Sequence, residues 1–177
     1  MAYNVVASST GGFALRLGQI CLIIAFVSAA ALGGALAIEH IGGIAPCPLC
    51  LDQRIAYYAA IPLALLAFVS LRGNISLARI ILALLAVGFL VNAGLGVYHS
   101  GVEWGWWAGP DTCSGMGAIA TTPGALLESL KNPRVVRCDE AALRIVGLSL
   151  AGYSALISAF LAALAGTGAA AGRSLAR

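Results

Sequence analysis

The chain has 177 residues, of which 60% are hydrophobic and 10% charged, and it carries a formal net charge of +3. Soluble domains carry roughly 25% charged residues, so too little polar surface is present here to cover a water-soluble fold. The composition excludes a soluble enzyme and predicts an all-α integral membrane protein.

Residues 1–14 are uncharged and rich in Ser, Thr and Gly, which predicts a mobile or surface-lying tail. Apolar runs then predict four membrane-spanning helices at about 16–38, 51–71, 76–98 and 143–165, each long enough for a bilayer core that needs about 17–25 residues. They form one domain over 1–177, with connecting loops at 39–50 and 99–142. The first apolar stretch outruns the core of a secretory signal, about 7–15 residues, and is read as an uncleaved helix. Within the helices, Gln19 and Asn92 are isolated polar residues, Pro62 predicts a kink, and Gly33 and Gly34 are small enough to allow close helix approach.

Four spans leave both termini on one side. That side then holds Arg16, Arg72, Arg79, Arg173 and Arg177 and no acid, while all seven acidic residues fall on the other. Arg72 and Arg79 in the short second turn, against no Lys or Arg between Glu39 and Cys50, place both termini in the cytoplasm.

The second helix is preceded by Cys47-Pro48-Leu49-Cys50 and followed by Arg54. Pro48 suits a first helical turn because it has no backbone donor to lose, which makes Cys47 the predicted N-cap. Cys50 then lies beside unpaired backbone donors and the positive end of the helix dipole, both of which favour thiolate. Arg54, four residues past Cys50 and seven past Cys47, shares their helical face and is aimed at them; its bland alternative is snorkelling to lipid headgroups. Asp52 points elsewhere and reads as a solvated acid.

The third helix ends at Tyr98-His99, and Trp104, Trp106 and Trp107 follow as predicted anchors at the bilayer surface. Taken alone, His99 reads as an interfacial filler. The long loop after it contains Cys113 and Cys138, and Thr122-Pro123 with Leu126, Leu127 and Leu130 predicts a short helix lying on the membrane. Cys21, inside the first helix, is a small apolar filler.

Cys47, Cys50, Cys113 and Cys138 all fall on the non-cytoplasmic side, where thiols belong to disulfide chemistry. Cys-X-X-Cys at a helix start suits reversible dithiol exchange. Zinc would need four thiolates, or three with a histidine, and usually a second close-spaced pair, which this chain lacks; no metal is assigned. No phosphate-cradling glycine loop or nucleic-acid patch occurs. Two pairs, one at the membrane surface and one on a loop, predict a relay by thiol–disulfide exchange, with a lipid-borne acceptor of low polarity such as a quinone. The pairing among the four remains open.

The four-helix plan, Cys47-Pro48-Leu49-Cys50 with Arg54, and the later pair Cys113 and Cys138 resemble the bacterial disulfide bond formation protein B (DsbB) family over essentially the whole chain. The vitamin K epoxide reductase family shares four helices and two cysteine pairs, but there the loop pair precedes the Cys-X-X-Cys. The DsbB resemblance implies a multi-pass protein of the bacterial inner membrane whose cysteine loops, including a long one between helices 3 and 4, are periplasmic. It implies catalytic Cys47, Cys50, Cys113 and Cys138, with Cys113 taking the mixed disulfide from a DsbA-like soluble thiol oxidase and Cys138 passing electrons to Cys47. It further implies that Cys50 meets ubiquinone or menaquinone, with Arg54 and His99 as quinone-binding residues. The competing expectation is a non-enzymatic four-span protein with two structural disulfides.

Overall fold

The computed structural model describes residues 2–110 and 137–171, and for residues 2–14 the backbone alone. Four helices, α1 (Ala2–His40), α2 (Pro48–Ser70), α3 (Ile75–Glu103) and α4 (Leu150–Ala170), are accompanied by one small hairpin, β1 (Arg144–Ile145) and β2 (Leu148–Ser149). Each helix includes a stretch long and apolar enough to cross a membrane, that of α1 being Leu15–His40. The expected short helix at 122–130 lies outside the described residues.

The expected tail at 1–14 is instead helical from Ala2. No proline or charge interrupts residues 2–15, and extending an existing helix by one residue costs far less than nucleating a new one. At the other end of α1, Gly43 adopts φ +66°, a backbone region only glycine enters freely, and the Ile44 amide reaches back to the Ile38 carbonyl at 3.3 Å. This reversal delivers the chain to α2 in a few residues.

α2 begins at Pro48, three residues before its predicted start. Cys47 is its N-cap in an extended conformation and Pro48 occupies the first turn, so Cys-X-X-Cys is built into the helix start. The helix continues through Pro62 to Ser70. Asn74 caps α3 by accepting the Leu77 amide at 3.0 Å. α3 runs five residues past its predicted end, which puts His99 and Glu103 on successive turns of one helix rather than in a loop.

The start of the fourth helix is corrected from 143 to Leu150. Residues 144–149 form the antiparallel hairpin, with Arg144 opposite Ser149 and Ile145 opposite Leu148. Val146 (φ 52°) and Gly147 (φ 82°) turn it through the left-handed region, incompatible with a continuing helix, and Ser149 then caps α4 through the Gly152 amide.

Inside the bundle, Leu17, Cys21 and Ile24 of α1 pack with Ala60 and Ala64 of α2, Leu82 and Phe89 of α3 and Leu161 of α4. Phe26, Leu66, Val91 and Phe160 are exposed on the outer faces, as helices facing lipid require. Close helix approach occurs at Gly96, where an added Cβ would stand 2.9 Å from the Ala155 backbone nitrogen, and not at Gly33 or Gly34, where it would meet nothing within 4 Å. Asn92 is buried and donates to the Ser158 hydroxyl at 2.8 Å, and that hydroxyl also bonds Tyr57 at 2.9 Å, joining α3, α4 and α2. At the opposite end, Arg79 donates to the Ala169 carbonyl at 3.1 Å near the end of α4.

Candidate active site

The site lies where the start of α2, the last turn of α3 and the segment around Cys138 converge. Cys47 is buried, and its sulfur accepts the Cys50 amide at 3.2 Å, so the cap that starts α2 is itself a redox-competent atom. Cys47 and Cys50 are free thiols whose sulfurs lie 2.8 Å apart, with Cys47 as donor. Sharing that proton with Cys50 holds the Cys47 thiol well above the usual thiol range, and burial pushes it further.

Cys138 is fully buried and disulfide-bonded. It packs with Cys47, Leu49 and Val102, against which Cys50, Leu95 and Tyr98 also rest. The Cys47 sulfur, the Cys138 sulfur and a ring nitrogen of His99 all lie within 4.8 Å of one another. Such a trio of soft donors can hold a metal ion, but in this state the Cys138 sulfur is committed to a disulfide. Cys113 lies outside the described residues.

His99 is only 2% exposed. Its Nε2 lies 3.5 Å from the Cys47 sulfur, and its Nδ1 lies 2.8 Å from the amide nitrogen of Gln53. Glu103, one turn further along α3, places Oε1 3.8 Å from His99 Nε2 with its side chain 5% exposed. The Glu103 Oε2 and Gln53 Oε1 atoms are buried without hydrogen-bond partners. Sequence reasoning overlooked both residues as site members. The available signals were the spacing of Gln53 between Leu49 and Tyr57 on the buried face of α2, and of Glu103 four residues after His99.

Arg54 is not held by the cysteines. Its guanidinium pairs with the Glu39 carboxylate at the end of α1 and reaches the Ala35 carbonyl at 3.5 Å. Arg54, Cys47, Cys50, His99, Gln53 and Glu103 nonetheless line one cavity of about 250 Å³, whose other walls are largely apolar, including Ala31, Ile38, Tyr57 and Ile157. Beside it, Trp107 stacks on Tyr98 with rings 6.0 Å apart and 3° from parallel, and donates to the Tyr98 carbonyl at 2.7 Å. Trp104, Trp106 and Trp107 are all exposed.

Residues 18–168 match the family model described as disulfide bond formation protein DsbB. The chain belongs to the disulfide bond formation protein B family. Among its relatives, disulfide bond formation protein B of Marinobacter nauticus is 29% identical over 80% of this chain and 85% of its own. Disulfide bond formation protein B 1 of Pseudomonas entomophila is 38% identical over about half of each chain (49% and 48%). A protein of Rickettsia prowazekii described as uncharacterized is 29% identical over 81% of this chain and 82% of its own. No solved structure matches. Family membership makes this a disulfide bond formation protein, an oxidoreductase role, and its four helices make it a multi-pass membrane protein.

Proposed function

We propose that this chain reoxidises a DsbA-like soluble periplasmic thiol oxidase and passes the electrons through Cys113 and Cys138, then Cys47 and Cys50, to ubiquinone or menaquinone. The observation that carries the reading is the Cys47 sulfur lying within 4.8 Å of the disulfide-bonded Cys138 sulfur, while Cys50 opens on an apolar cavity.

In this scheme a partner thiolate attacks Cys113 and expels Cys138 as a thiolate. Cys138 attacks Cys47 of the oxidised motif pair, and the Cys47–Cys50 bond breaks with Cys50 leaving as thiolate. The partner's second thiolate displaces Cys113 and leaves with the partner's disulfide closed, Cys113 displaces Cys47 from Cys138 to restore the loop pair, and the two electrons and two protons left on Cys47 and Cys50 are those the acceptor takes up. The helix start receives that charge, because backbone donors and the positive dipole end are already in place.

The cavity suits a quinone headgroup. Its apolar walls match a flat ring, and the buried unpartnered Gln53 Oε1 and Glu103 Oε2 are acceptors to which a hydroxyl of the reduced ring can donate. When bound, a quinone supplies a two-electron, two-proton acceptor. Arg54 contributes a cation at the cavity wall and His99 a ring nitrogen. The protein belongs by this reading in the bacterial inner membrane, with both termini cytoplasmic and the cysteine loops periplasmic; Arg72 and Arg79 in the 71–79 turn support that orientation. A non-enzymatic protein with two structural disulfides gives no role to the largely apolar cavity that Cys50 and Arg54 line.

The test is quinone absorbance on rapid mixing with a reduced DsbA-like partner. Cys50→Ser and Cys113→Ser should each abolish turnover while leaving the protein folded, and full turnover in either variant would overturn the reading.

A further inference from the structure

The contacts of the Gln53 side chain bear on which nitrogen of His99 carries the proton. Its Nε2 lies 3.4 Å from the Leu49 carbonyl and 2.8 Å from His99 Nδ1. A carbonyl oxygen only accepts, so the atom facing Leu49 is the amide NH2 and not the amide oxygen. That same NH2 donates to Nδ1, which in a neutral ring leaves the proton on Nε2. Nε2 faces the Cys47 sulfur at 3.5 Å.

We propose that Gln53 is a positioning residue that sets the tautomer of His99, so that the ring donates its Nε2–H to the Cys47 sulfur and stabilises charge there whenever exchange passes through it. The proposal rests on the reading that Cys47 takes part in thiol exchange.

The Leu49 carbonyl excludes the half-turned amide, which would set Oε1 against another acceptor, so the wild-type side chain has one arrangement. Gln53→Glu removes the donor to Nδ1, because a carboxylate only accepts, and the ring then carries its proton on Nδ1. The charged and titratable groups facing the pair are Cys50, Arg54 and Tyr57 of α2, Tyr98 and Glu103 of α3, Glu39 of α1 beyond Arg54, Arg137, Cys138 and Glu140 of the segment before β1, Arg144 of β1, which acts on Glu103, and Tyr153 of α4.

The experiment uses the full chain in detergent, reduced and free of quinone, with ¹⁵N-labelled histidine and His40→Gln to leave one ring. The nitrogen shifts should report an Nε2–H ring in the parent protein, an Nδ1–H ring in Gln53→Glu and a mixture in Gln53→Leu. In a Cys50→Ala background, the pH profile of Cys47 modification by a small thiosulfonate should move upward in Gln53→Leu and in His99→Ala. The thiolate fraction at a given pH should fall about tenfold, as loss of one hydrogen bond to a charged sulfur implies. Glu103→Gln should leave the tautomer unchanged.

An Nδ1–H ring in the parent protein overturns the proposal, as does a tautomer that follows Glu103, or an unmoved profile in both Gln53→Leu and His99→Ala. If substitution at Gln53 prevents folding, the parent tautomer alone decides. Failure of the exchange reading has a different signature, namely no Cys47–Cys138 exchange in the unmodified chain whatever its tautomer.

Discussion

Arg54 and Glu39 hold each other across two helices at the edge of the cavity, so the cation that shares a helix and the cavity wall with the Cys50 thiol is already paired with an acid. Glu39→Gln should release the full charge of Arg54 toward Cys50 and speed its alkylation roughly two- to fivefold at neutral pH, whereas Arg54→Ala should slow it by a similar factor. Both shifts should shrink at high salt. Rate constants for single-site alkylation in the reduced protein check both directions, and equal rates in the two variants would show that Arg54 has no effect on the motif.

The Cys47 thiol is held above the ordinary thiol range first by its hydrogen bond to Cys50 and then by burial. A raised thiol stays protonated at neutral pH, so Cys47 should modify far more slowly than an ordinary cysteine there, its rate rising only as pH climbs beyond about 8.5. Removing the larger cause with Cys50→Ala should bring the profile down toward that value. Mass-spectrometric alkylation across pH measures the midpoint.

Gly101 lies under the indole of Trp107, and a Cβ there would stand 2.1 Å from Cζ2. Gly101→Ala should therefore break the Trp107 hydrogen bond to the Tyr98 carbonyl and unstack the pair, costing about 1–3 kcal/mol as overpacking does. A lower thermal midpoint together with red-shifted tryptophan emission is the expected outcome.

Val146 adopts φ 52° at the hairpin tip and is 96% exposed, so its β-branched side chain is strained there without burying anything. Two-residue turns with positive φ at both positions favour Asn-Gly, and Gly147 already supplies the second residue. Val146→Asn should stabilise the protein by about 1 kcal/mol, visible as a higher thermal midpoint with unchanged thiol reactivity.

The Ser158 hydroxyl bridges Asn92 and Tyr57 within the bundle. Ser158→Ala should cost about 0.6 kcal/mol, the average for a hydrogen bond between membrane helices, and no more than about 1.7 kcal/mol. Adding Asn92→Leu should restore part of the loss by removing the stranded amide, a recovery that a double-mutant cycle would quantify.

Much of this protein is legible in one dimension because its governing constraints are local. A bilayer imposes a fixed length of apolar chain, so four helices follow from hydropathy. Proline at a first turn makes the preceding cysteine a cap, so the place of Cys47 follows from the motif alone. The limits of local signals appear where short-range rules compete, as at 143–149, where an apolar run suggested helix but Gly147 and the Ser149 cap delayed it to Leu150.

What tertiary structure decided is which partner each polar side chain finds. Helical spacing puts Arg54 on the face of Cys50, yet Glu39, fifteen residues earlier in sequence, captures it because α1 returns beside α2. Gln53 is 46 residues from His99, and His99 is 52 from Cys47, so no periodicity could join the three. Small residues are common in α1, but close approach falls at Gly96 and Ala155 because α3 and α4 supply the intimate pair. Local sequence determines where a helix begins and which face is apolar; only packing decides which buried donor meets which acceptor, since that depends on helices whose order in space the chain does not spell out.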